Sequence, residues 1–204
     1  YDVSSSATSL TAQLEWNLTS ILPSTGSNAG AEAVTFVPDA FLVASGFYDE
    51  RTSAPYTPST YGDHGGGLFF VGLEATGGIY AVALDHTTGT ALRVATMASG
   101  FAGIMGIEFD REVGYLWASC DNNCNGDLSV LRVESNPLSP NLGRFVIQRR
   151  FSRPSTMSNI NNEGIAIAPE SECTAGRKPF YWTDDSDTSG FSVRRDSIPC
   201  GDFL

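Results

Sequence analysis

Residues 104–119, IMGIEFDREVGYLWAS, contain a pattern from which the fold can be predicted: an apolar strand, an acidic turn and a second strand rich in aromatic residues. Two other segments follow the same plan, AEAVTFVPDAFLVAS at 31–45 and NEGIAIAPESECTAGRKPFYWTDD at 162–185. In each, a small residue or glycine stands close to the first strand, and proline or aspartate marks the turn. A repeated hairpin of this size predicts the blades of a β-propeller, in which an inner strand turns into the next one.

The remainder of the chain is also rich in short apolar and aromatic runs. Turn signals separate nearly all of these runs, and no long segment has helical spacing. The runs are LTAQLEW (10–16), AVTFV (33–37), FLVASGF (41–47), LFFVGLE (68–74), GIYAVAL (78–84), ALRVATM (91–97), IMGIEF (104–109), YLWAS (115–119), LSVLRV (128–133), RFVIQRR (144–150), GIAIA (164–168), PFYWT (179–183) and FSVRR (191–195). They predict an all-β protein, either a β-propeller or partial propeller arc of four-stranded antiparallel blades, or a β-sandwich.

The number of predicted strands limits the size of the ring. The thirteen runs make little more than three blades of four strands, whereas closed propellers have about four to eight blades. We therefore expect one propeller-type domain over residues 1–204 that lacks N-terminal blades, unless irregular segments or a partner chain complete it. Residues 48–67 interrupt the repeat and are predicted to form an insertion loop. Because the chain begins at Tyr1, we expect that a leader or a longer N-terminal part has been removed.

Charge and composition narrow the range of partners. The chain has 23 acidic and 12 basic residues and a net charge of -11. This charge repels a phosphate backbone and argues against nucleic acid as a partner. No apolar run has the length of a membrane span. The acidic balance, together with abundant Gly, Ser, Thr, Asn and Asp, is typical of a secreted protein that binds calcium through oxygen ligands.

The cysteines favour an oxidising compartment. There are four of them and only two histidines to complete a zinc site, so disulfides are favoured over metal ligation. The expected pairs are Cys120 with Cys124 and Cys173 with Cys200. Asn17 begins the sequon Asn-Leu-Thr and is a candidate glycosylation site. We therefore predict a secreted, extracellular glycoprotein.

Two acids occupy matching places in the repeat. Glu32 precedes the strand at 33–37 and Glu163 precedes the strand at 164–168, while Met105 takes the corresponding place in the middle repeat. Inner strands of a propeller begin near its central channel, so these carboxylates could converge on one axial cation. The alternative is that each Glu caps a turn and faces solvent. Glu108 lies in a different register and is interpreted as a separate polar contact.

A second candidate calcium site follows the strand at 179–183. Residues 185–190, DSDTSG, match the beginning of a calcium-binding loop, with an acid at its twelfth position. The candidate ligands are Asp185, Asp187, Ser189 and Asp196. The alternative is an ordinary hairpin turn. Residues 121–126 resemble the same loop, but Arg132 stands at the twelfth position, and a turn is the better interpretation.

Other motifs give weaker indications. His64 begins HGGG, which resembles the oxyanion-hole loop of lipases, but the chain contains no G-x-S-x-G nucleophile elbow. A Gly-rich approach to the strand at 68–74 is therefore the better interpretation, and His86 is interpreted as an exposed turn residue. Basic residues form two clusters that could hold a phosphate but are more commonly solvated outer-strand residues: Arg149, Arg150 and Arg153, and Arg177, Lys178, Arg194 and Arg195. The aromatic residues at 117 and 180–182 are expected to pack between blades.

These segments resemble the secreted β-propellers of the phytase-like, or esterase-like phytase, family. The similar text is AEAVTFVPDAFLVASGF, GGLFFVGLEATGGIYAVALD, SGFAGIMGIEFD with LWASCDNNCNG, and NNEGIAIAPESECTAGRKPFYWTDDSDTSGFSVRRDSIPC. The resemblance covers roughly residues 14–200, and the last segment is its most specific part. It implies that the earlier blades precede this region, so that the chain is a C-terminal portion of the propeller.

The resemblance also implies a chemistry. Calcium-dependent propeller phytases hold calcium with acidic residues and use a metal-activated water to attack a phosphate. Glu163 and Glu32 match the acid pattern at the strand starts of the wider propeller class, which also includes gluconolactonase-like enzymes, whereas Met105 departs from it. The first hypothesis is thus a metal-dependent hydrolase of a phosphorylated or ester substrate, with no catalytic residue assigned. The alternative is a non-catalytic extracellular propeller that binds a partner, a glycan or copies of itself through its faces or open strand edges.

Overall fold

The structure is a computed structural model that describes residues 12–204. Within this range the chain is all-β, with one short α-helix and several single-turn 3₁₀ helices. In chain order the elements are β1 (Ala31–Pro38), α1 (Asp39–Ala44), β2 (Tyr48–Asp49), β3 (Ala54–Pro55), β4 (Gly67–Leu73), β5 (Gly78–Leu84), β6 (Ala91–Ala98), β7 (Gly106–Asp110), β8 (Tyr115–Ser119), β9 (Leu128–Val133), β10 (Phe145–Phe151), β11 (Asn162–Ile167), β12 (Arg177–Asp184) and β13 (Val193–Pro199).

The long strands form three antiparallel sheets that follow one another along the chain. Sheet I has the order β1-β4-β5-β6, sheet II the order β7-β8-β9-β10, and sheet III the order β11-β12-β13. The two short strands β2 and β3 pair with each other inside the insertion. The first strands of the three sheets lie side by side, with β7 between β1 and β11. The described residues therefore form a row of sheets, each starting from a shared inner line of strands.

Apolar side chains join neighbouring sheets face to face. Between sheets I and II, Phe70 and Ile79 pack in one cluster with Phe109 and Leu116. Between sheets II and III, a second cluster contains Tyr115, Trp117, Val130, Phe180 and Ile198. Burial of one large apolar side chain contributes about 1.5–3 kcal/mol, so these two layers hold the sheets together.

Glycine permits close approaches of the backbone at two places. Gly77 follows β4 with φ of +60°, and a Cβ atom at this position would collide with the carbonyl group of Phe101. At β7, a Cβ on Gly106 would lie 3.3 Å from the backbone nitrogen of Ile165 in β11. The missing side chain therefore allows the inner strands of sheets II and III to touch.

Two of the predicted strands are not strands. Residues 41–44 of FLVASGF belong to α1, because Pro38 ends β1 and Asp39 places an acid in the first helical turn, where the helix dipole favours it. The helix buries Leu42 in the layer between sheets I and II. Of LTAQLEW, residues 12–16 have no strand conformation, and the first two residues lie outside the described range. The other predicted runs lie in β1 and β4–β13.

The insertion at 48–67 packs against the core. Tyr56 and Tyr61 are buried in the layer between sheets I and II, with their rings stacked at a centroid distance of 5.7 Å. The hydroxyl group of Tyr61 donates to Asp49 Oδ2 at 2.5 Å, and Asp49 is itself fully buried. Although its sequence is polar, this segment therefore packs against the core layer between sheets I and II.

Both predicted disulfides are present. Cys120 is bonded to Cys124 and Cys173 to Cys200, across 4 and 27 residues respectively. Disulfides persist in oxidising compartments, so they are compatible with an extracellular location. Within residues 12–204, none of the helices has the length and apolar character needed to cross a membrane.

Candidate functional site

The starts of the inner strands and the ends of their neighbours meet at one end of the sheets. Ala31 of β1 pairs with Leu73 of β4, Gly106 pairs with Ser119, and Asn162 pairs with Asp184. We call this end the mouth. Its acidic side chains are Glu32, Glu74, Asp121, Glu163 and Asp185.

The carboxyl group of Glu163 is repelled by the other acidic side chains at the mouth. Burial raises the pKa of the Glu163 carboxyl group, and repulsion from Asp185, Glu32, Asp121 and Glu74 raises it further. Its Oε1 accepts a hydrogen bond from Asn161 Nδ2 at 2.8 Å, which fixes the side chain. The mouth is therefore a region of concentrated negative charge that would attract a cation.

The middle sheet contributes less to the mouth. Met105 is buried, and its backbone N–H donates to Ser119 O at 3.0 Å. Asp121 is buried too, but its carboxylate accepts from the backbone and side-chain nitrogens of Asn123 at 2.9 and 2.8 Å. It therefore organises its own turn, in agreement with the interpretation of 121–126 as a turn.

The acids at the mouth fit calcium in chemistry but not as a finished cage. Carboxylate oxygens are the ligands that calcium prefers, and it takes six to eight of them, water included. Within residues 12–204, three potential ligand atoms approach within 4.8 Å only at Cys120, Asp121 and Cys124, and at Glu170, Cys173 and Cys200. Both groups contain disulfide-bonded cysteines, which are not ligands. Calcium at the mouth would thus need water molecules or movement of Glu163, Glu32 or Asp185 to complete its shell.

The loop at 185–190 is built around an acid that the sequence pattern did not single out. Asp184 is buried and accepts hydrogen bonds from the backbone N–H groups of Ser186 and Thr188 at 3.1 and 2.9 Å. Burial alone would raise the pKa of Asp184, but these bonds and Arg194 lower it. The sequence does contain one indication of this turn. Ser186 and Thr188 stand two and four residues after Asp184, a pattern typical of a turn capped by the Asp side chain.

The four predicted ligands of this loop do not come together. Asp187 and Ser189 lie in the turn with φ of 48° and 61°, and Asp187 Oδ1 accepts from Ser192 Oγ at 2.8 Å. Asp196 lies within β13 opposite Phe180, where its Oδ1 accepts from the N–H of Ser197. At about 3.3 Å per residue, Asp196 is some 10 Å along the strand from Val193, next to the loop. The geometry is that of a hairpin turn, with Asp185 facing the mouth.

His64 is part of a buried cluster in the insertion. Its Nε2 lies 3.1 Å from Asp39 Oδ2 and 3.0 Å from the hydroxyl group of Tyr56, and its Nδ1 lies 3.1 Å from Gly62 O. Burial raises the pKa of Tyr56, and the hydrogen bond to Asp39 raises it further. His64 thus anchors the insertion, while Gly67 begins β4 as the Gly-rich interpretation expects. His86 is half-buried, with its ring 5.4 Å from that of Trp16.

One residue of each basic cluster, Arg153 and Arg177, lines a cavity between sheets II and III. Arg150 donates to Gly100 O at 2.7 Å, Arg153 to Asn125 Oδ1 at 2.7 Å, and Arg177 to Ser197 Oγ at 2.7 Å. Lys178 differs from its interpretation as a solvated residue, because it is 1% exposed and forms ion pairs with Asp110 and Glu170. Arg150, Arg153, Arg177 and Lys178 are thus engaged in contacts within the chain.

Asn17 is exposed, and its Oδ1 accepts from the N–H of Thr19 at 2.9 Å within the sequon. An exposed acceptor is accessible to the glycosylation machinery. Glycosylation of Asn17 stays a prediction.

Comparison of the chain with models of known protein families gave no match, and comparison with curated proteins gave none either.

Proposed function

We propose that the chain is an arc of a β-propeller of the phytase-like, or esterase-like phytase, kind, and that it works outside the cell as a calcium-binding protein. Three consecutive antiparallel sheets with adjacent inner strands support the arc. The resemblance of residues 14–200 to that family supports the kind of propeller. Two disulfides are compatible with the location.

The observation that carries calcium binding is the set of charges around Glu163. The charged groups that act on this carboxyl group are all acidic. Two of them come from different parts of the fold: Glu32 lies in β1 of sheet I, and Asp185 directly follows β12 of sheet III. Such an arrangement destabilises the empty site and gains free energy when a divalent cation neutralises it. Glu163, Glu32 and Asp185 are the proposed ligands at the mouth, and water completes the shell.

The proposed activity is hydrolysis of a phosphoester or ester at the mouth. A bound calcium ion supplies charge neutralisation of the substrate oxygens and a more acidic water. The chain itself orients Glu163 through Asn161, and buries it enough to strengthen its electrostatic interactions.

Calcium titration with and without substrate tests the proposal. Calcium is expected to raise the melting temperature, and a chromogenic phosphate or acyl ester is expected to turn over in calcium and to stop turning over in chelator. A rise in melting temperature without turnover under any condition would leave a structural calcium site and remove the hydrolase. Absence of both effects would remove the calcium site as well.

Glu163→Gln separates the role of Glu163 from general charge. The variant is expected to bind calcium at least about tenfold more weakly, since one charged ligand is lost. In the wild type, protons compete with calcium for the Glu163 carboxylate. Because the pKa of Glu163 is raised, calcium affinity is expected to fall at a higher pH than it would if this Glu had an ordinary pKa. In chelator, where calcium is absent, the variant is expected to affect the stability of the fold in the opposite direction. The raised pKa of Glu163 means that its ionised carboxylate destabilises the folded state at pH values above the ordinary pKa of a Glu. Glu163→Gln should therefore be no less stable than wild type at neutral pH.

Glu172→Gln is the matched control for this experiment. Glu172 is exposed and lies in the 3₁₀ turn after β11, at the other end of that strand from the mouth. The Glu172→Gln variant loses the same charge as Glu163→Gln and should leave calcium affinity and its pH dependence unchanged. Equal effects of the two variants would show that net charge, rather than the mouth, attracts calcium.

The edge of sheet III supports a second candidate function, binding of another chain. Sheet III has three strands, and within residues 12–204 the outer edge of β13 has no partner strand. Phe191 and Val193 are 61% and 63% exposed beside this edge. An unpaired edge with apolar neighbours is a template for strand addition, so a copy of the chain is a proposed partner.

A further inference from the structure

A cavity of about 260 Å³ lies between sheets II and III. Its walls are largely apolar and aromatic, formed by Trp117, Leu128, Phe151, Ile165, Phe180 and Ile198. An apolar cavity of about 150 Å³ is large enough to hold benzene. This cavity therefore has room for a substituted aromatic ring.

The unpartnered polar atoms of the wall do not face this space. Within residues 12–204, Nε1 of Trp117, Nε1 of Trp182 and Oδ1 of Asn162 have no hydrogen-bond partner, and all three atoms are fully shielded by their neighbours. A molecule in the cavity therefore meets these residues through their other atoms. Polar recognition of a ligand has to come from the charged side chains of the lining.

Three charged side chains line the cavity. Arg153 lies in the segment between β10 and β11, Arg177 in β12 and Asp196 in β13. Among residues 12–204, none of the three forms an ion pair. Two positive charges and one negative charge leave the lining with an excess of one positive charge, although the whole chain has a net charge of -11. The excess charge favours an anionic ligand.

Arg177 and Asp196 belong to the same part of sheet III. The Nε of Arg177 donates to Ser197 Oγ at 2.7 Å, and Ser197 directly follows Asp196 in β13. Opposite charges at neighbouring positions offset each other. Arg153, on the other side of the cavity, is therefore the cation of the lining that Asp196 does not balance.

The guanidinium group of Arg153 is held in place by neutral oxygen atoms. Its Nε donates to Asn125 O at 3.1 Å, its Nη1 to Pro154 O at 3.3 Å and its Nη2 to Asn125 Oδ1 at 2.7 Å. These bonds leave further N–H donors of the guanidinium group free for another acceptor. A carboxylate is the strongest partner for them, because its hydrogen bonds with arginine are charge-assisted and the group is already oriented.

We propose that this cavity is a binding site for small aromatic monocarboxylates. The carboxylate accepts from the free N–H groups of Arg153, and the ring packs against Phe151 and Phe180. One negative charge on the ligand matches the excess positive charge of the lining, and an aromatic body matches its walls. The site uses none of the acids at the mouth and does not depend on the proposed function.

Phenylacetate and phenylacetamide are a matched pair of probes, because they have nearly the same shape and differ in the charge of the head group. Calorimetric titration of the chain with each should show saturable binding of phenylacetate at least about tenfold tighter than that of phenylacetamide, as expected for a hydrogen bond between charged groups. Arg153 is half-buried, so this preference should shrink as the salt concentration rises.

Variants of Arg153 test which residue recognises the charge. Arg153→Gln should abolish the preference for phenylacetate while phenylacetamide binds as it does to the wild type. Arg153→Lys keeps the positive charge and should keep part of the preference. Arg195→Gln is the matched control, since it removes the same charge at an exposed residue outside the cavity, and it should leave the preference unchanged.

The proposal is refuted if the wild type shows no saturable binding of phenylacetate, or if phenylacetamide binds as tightly. An unchanged preference in folded Arg153→Gln, or loss of both probes in it, would equally refute a role in charge recognition. If Arg153→Gln does not fold, the salt dependence decides, and a preference that salt does not change contradicts the ion pair. Ile165→Phe places a larger side chain in the wall and should abolish binding of both probes, so that retained binding would locate the ligand elsewhere.

Discussion

Lys178 brings a positive charge into the layer between sheets II and III. Its ammonium group lies 2.5 Å from Asp110 Oδ2 in β7 and 2.7 Å from Glu170 Oε1. Burial alone would lower the pKa of Lys178, but the hydrogen bonds to Asp110 and Glu170 raise it, so that the side chain stays charged. This ion pair links two sheets that no disulfide joins within the described residues.

Lys178→Met is expected to destabilise the fold by about 3–5 kcal/mol, because Asp110 would be left as a buried charge without a partner. Chemical denaturation at pH 7 measures the change. The loss should shrink as the pH falls and the two acids become protonated. Arg177→Met, at the exposed neighbour on the same strand, is the control and should cost less than about 1 kcal/mol. A loss for Lys178→Met as small as that of the control would contradict a stabilising role.

Glu170 gives the wild type its own pH dependence. The hydrogen bond from Lys178 lowers the pKa of Glu170, and the N–H of Gly201 contributes as well. A carboxyl group with a lowered folded-state pKa adds stability above its ordinary pKa, and this is lost as the pH falls through the folded-state value. The ion pair is thus expected to weaken only in acid.

The candidate site could be predicted only where a local pattern in the sequence marks the residue. Glu32 and Glu163 stand out because each precedes an apolar run in the sequence, although the structure places both inside strands, β1 and β11. The burial of Lys178, in contrast, depends on Asp110, which is distant in the chain. Asp196 was predicted as a ligand because it is the twelfth residue of a loop that begins at Asp185. In the structure β13 begins at Val193, so Asp196 is a strand residue and lies away from the loop. The neighbours of a side chain depend on how the strands pair, and the sequence of a single segment does not contain this information.

At the scale of elements, strands whose runs are bounded by turn residues were well predicted. GIYAVAL, YLWAS and LSVLRV coincide with β5, β8 and β9. FLVASGF has an equally apolar text but lies in α1, because Pro38 and Asp39 favour the start of a helix and Leu42 finds a buried place on that helix. Local propensity of short apolar runs is ambiguous, and tertiary packing decided this one.

The two disulfides close loops of very different length. Replacing both Cys173 and Cys200 by Ala is expected to cost about 3.5 kcal/mol, and replacing both Cys120 and Cys124 about 2 kcal/mol, from the loop-closure entropy of 27 and 4 residues. Denaturant unfolding of the two double variants measures the order. A larger loss at the short loop would show that native contacts around Cys120, which is fully buried, outweigh the entropy.

At the scale of the whole molecule, the sheets form a row with two different ends. Residues Leu18, Ile21 and Leu22 pack on Val71 and Val82 and so cover part of the outer face of sheet I. Sheet III ends at β13, whose outer edge has no partner strand among residues 12–204. Strand addition at this end is the basis of the second candidate function.

Val193→Lys tests this end of the row. A charge beside an open strand edge opposes strand addition, so the variant should shift any concentration-dependent association of the wild type toward the monomer in sedimentation velocity. Leu138→Lys, at a residue that is 91% exposed in the β9–β10 turn, is the control and should leave association unchanged. A wild type that stays monomeric at every concentration, or association unaffected by Val193→Lys, would contradict pairing at β13.

The order of the strands has a consequence for synthesis. Apart from the β2–β3 insertion, each sheet takes its strands from one uninterrupted stretch of chain, so sheet I is complete at Ala98, before Gly106 begins sheet II. The cysteines also pair in the order in which they emerge, Cys120 with Cys124 and then Cys173 with Cys200. During synthesis each sheet can therefore fold before the next appears, and each pair of cysteines can join without exchange with the other pair.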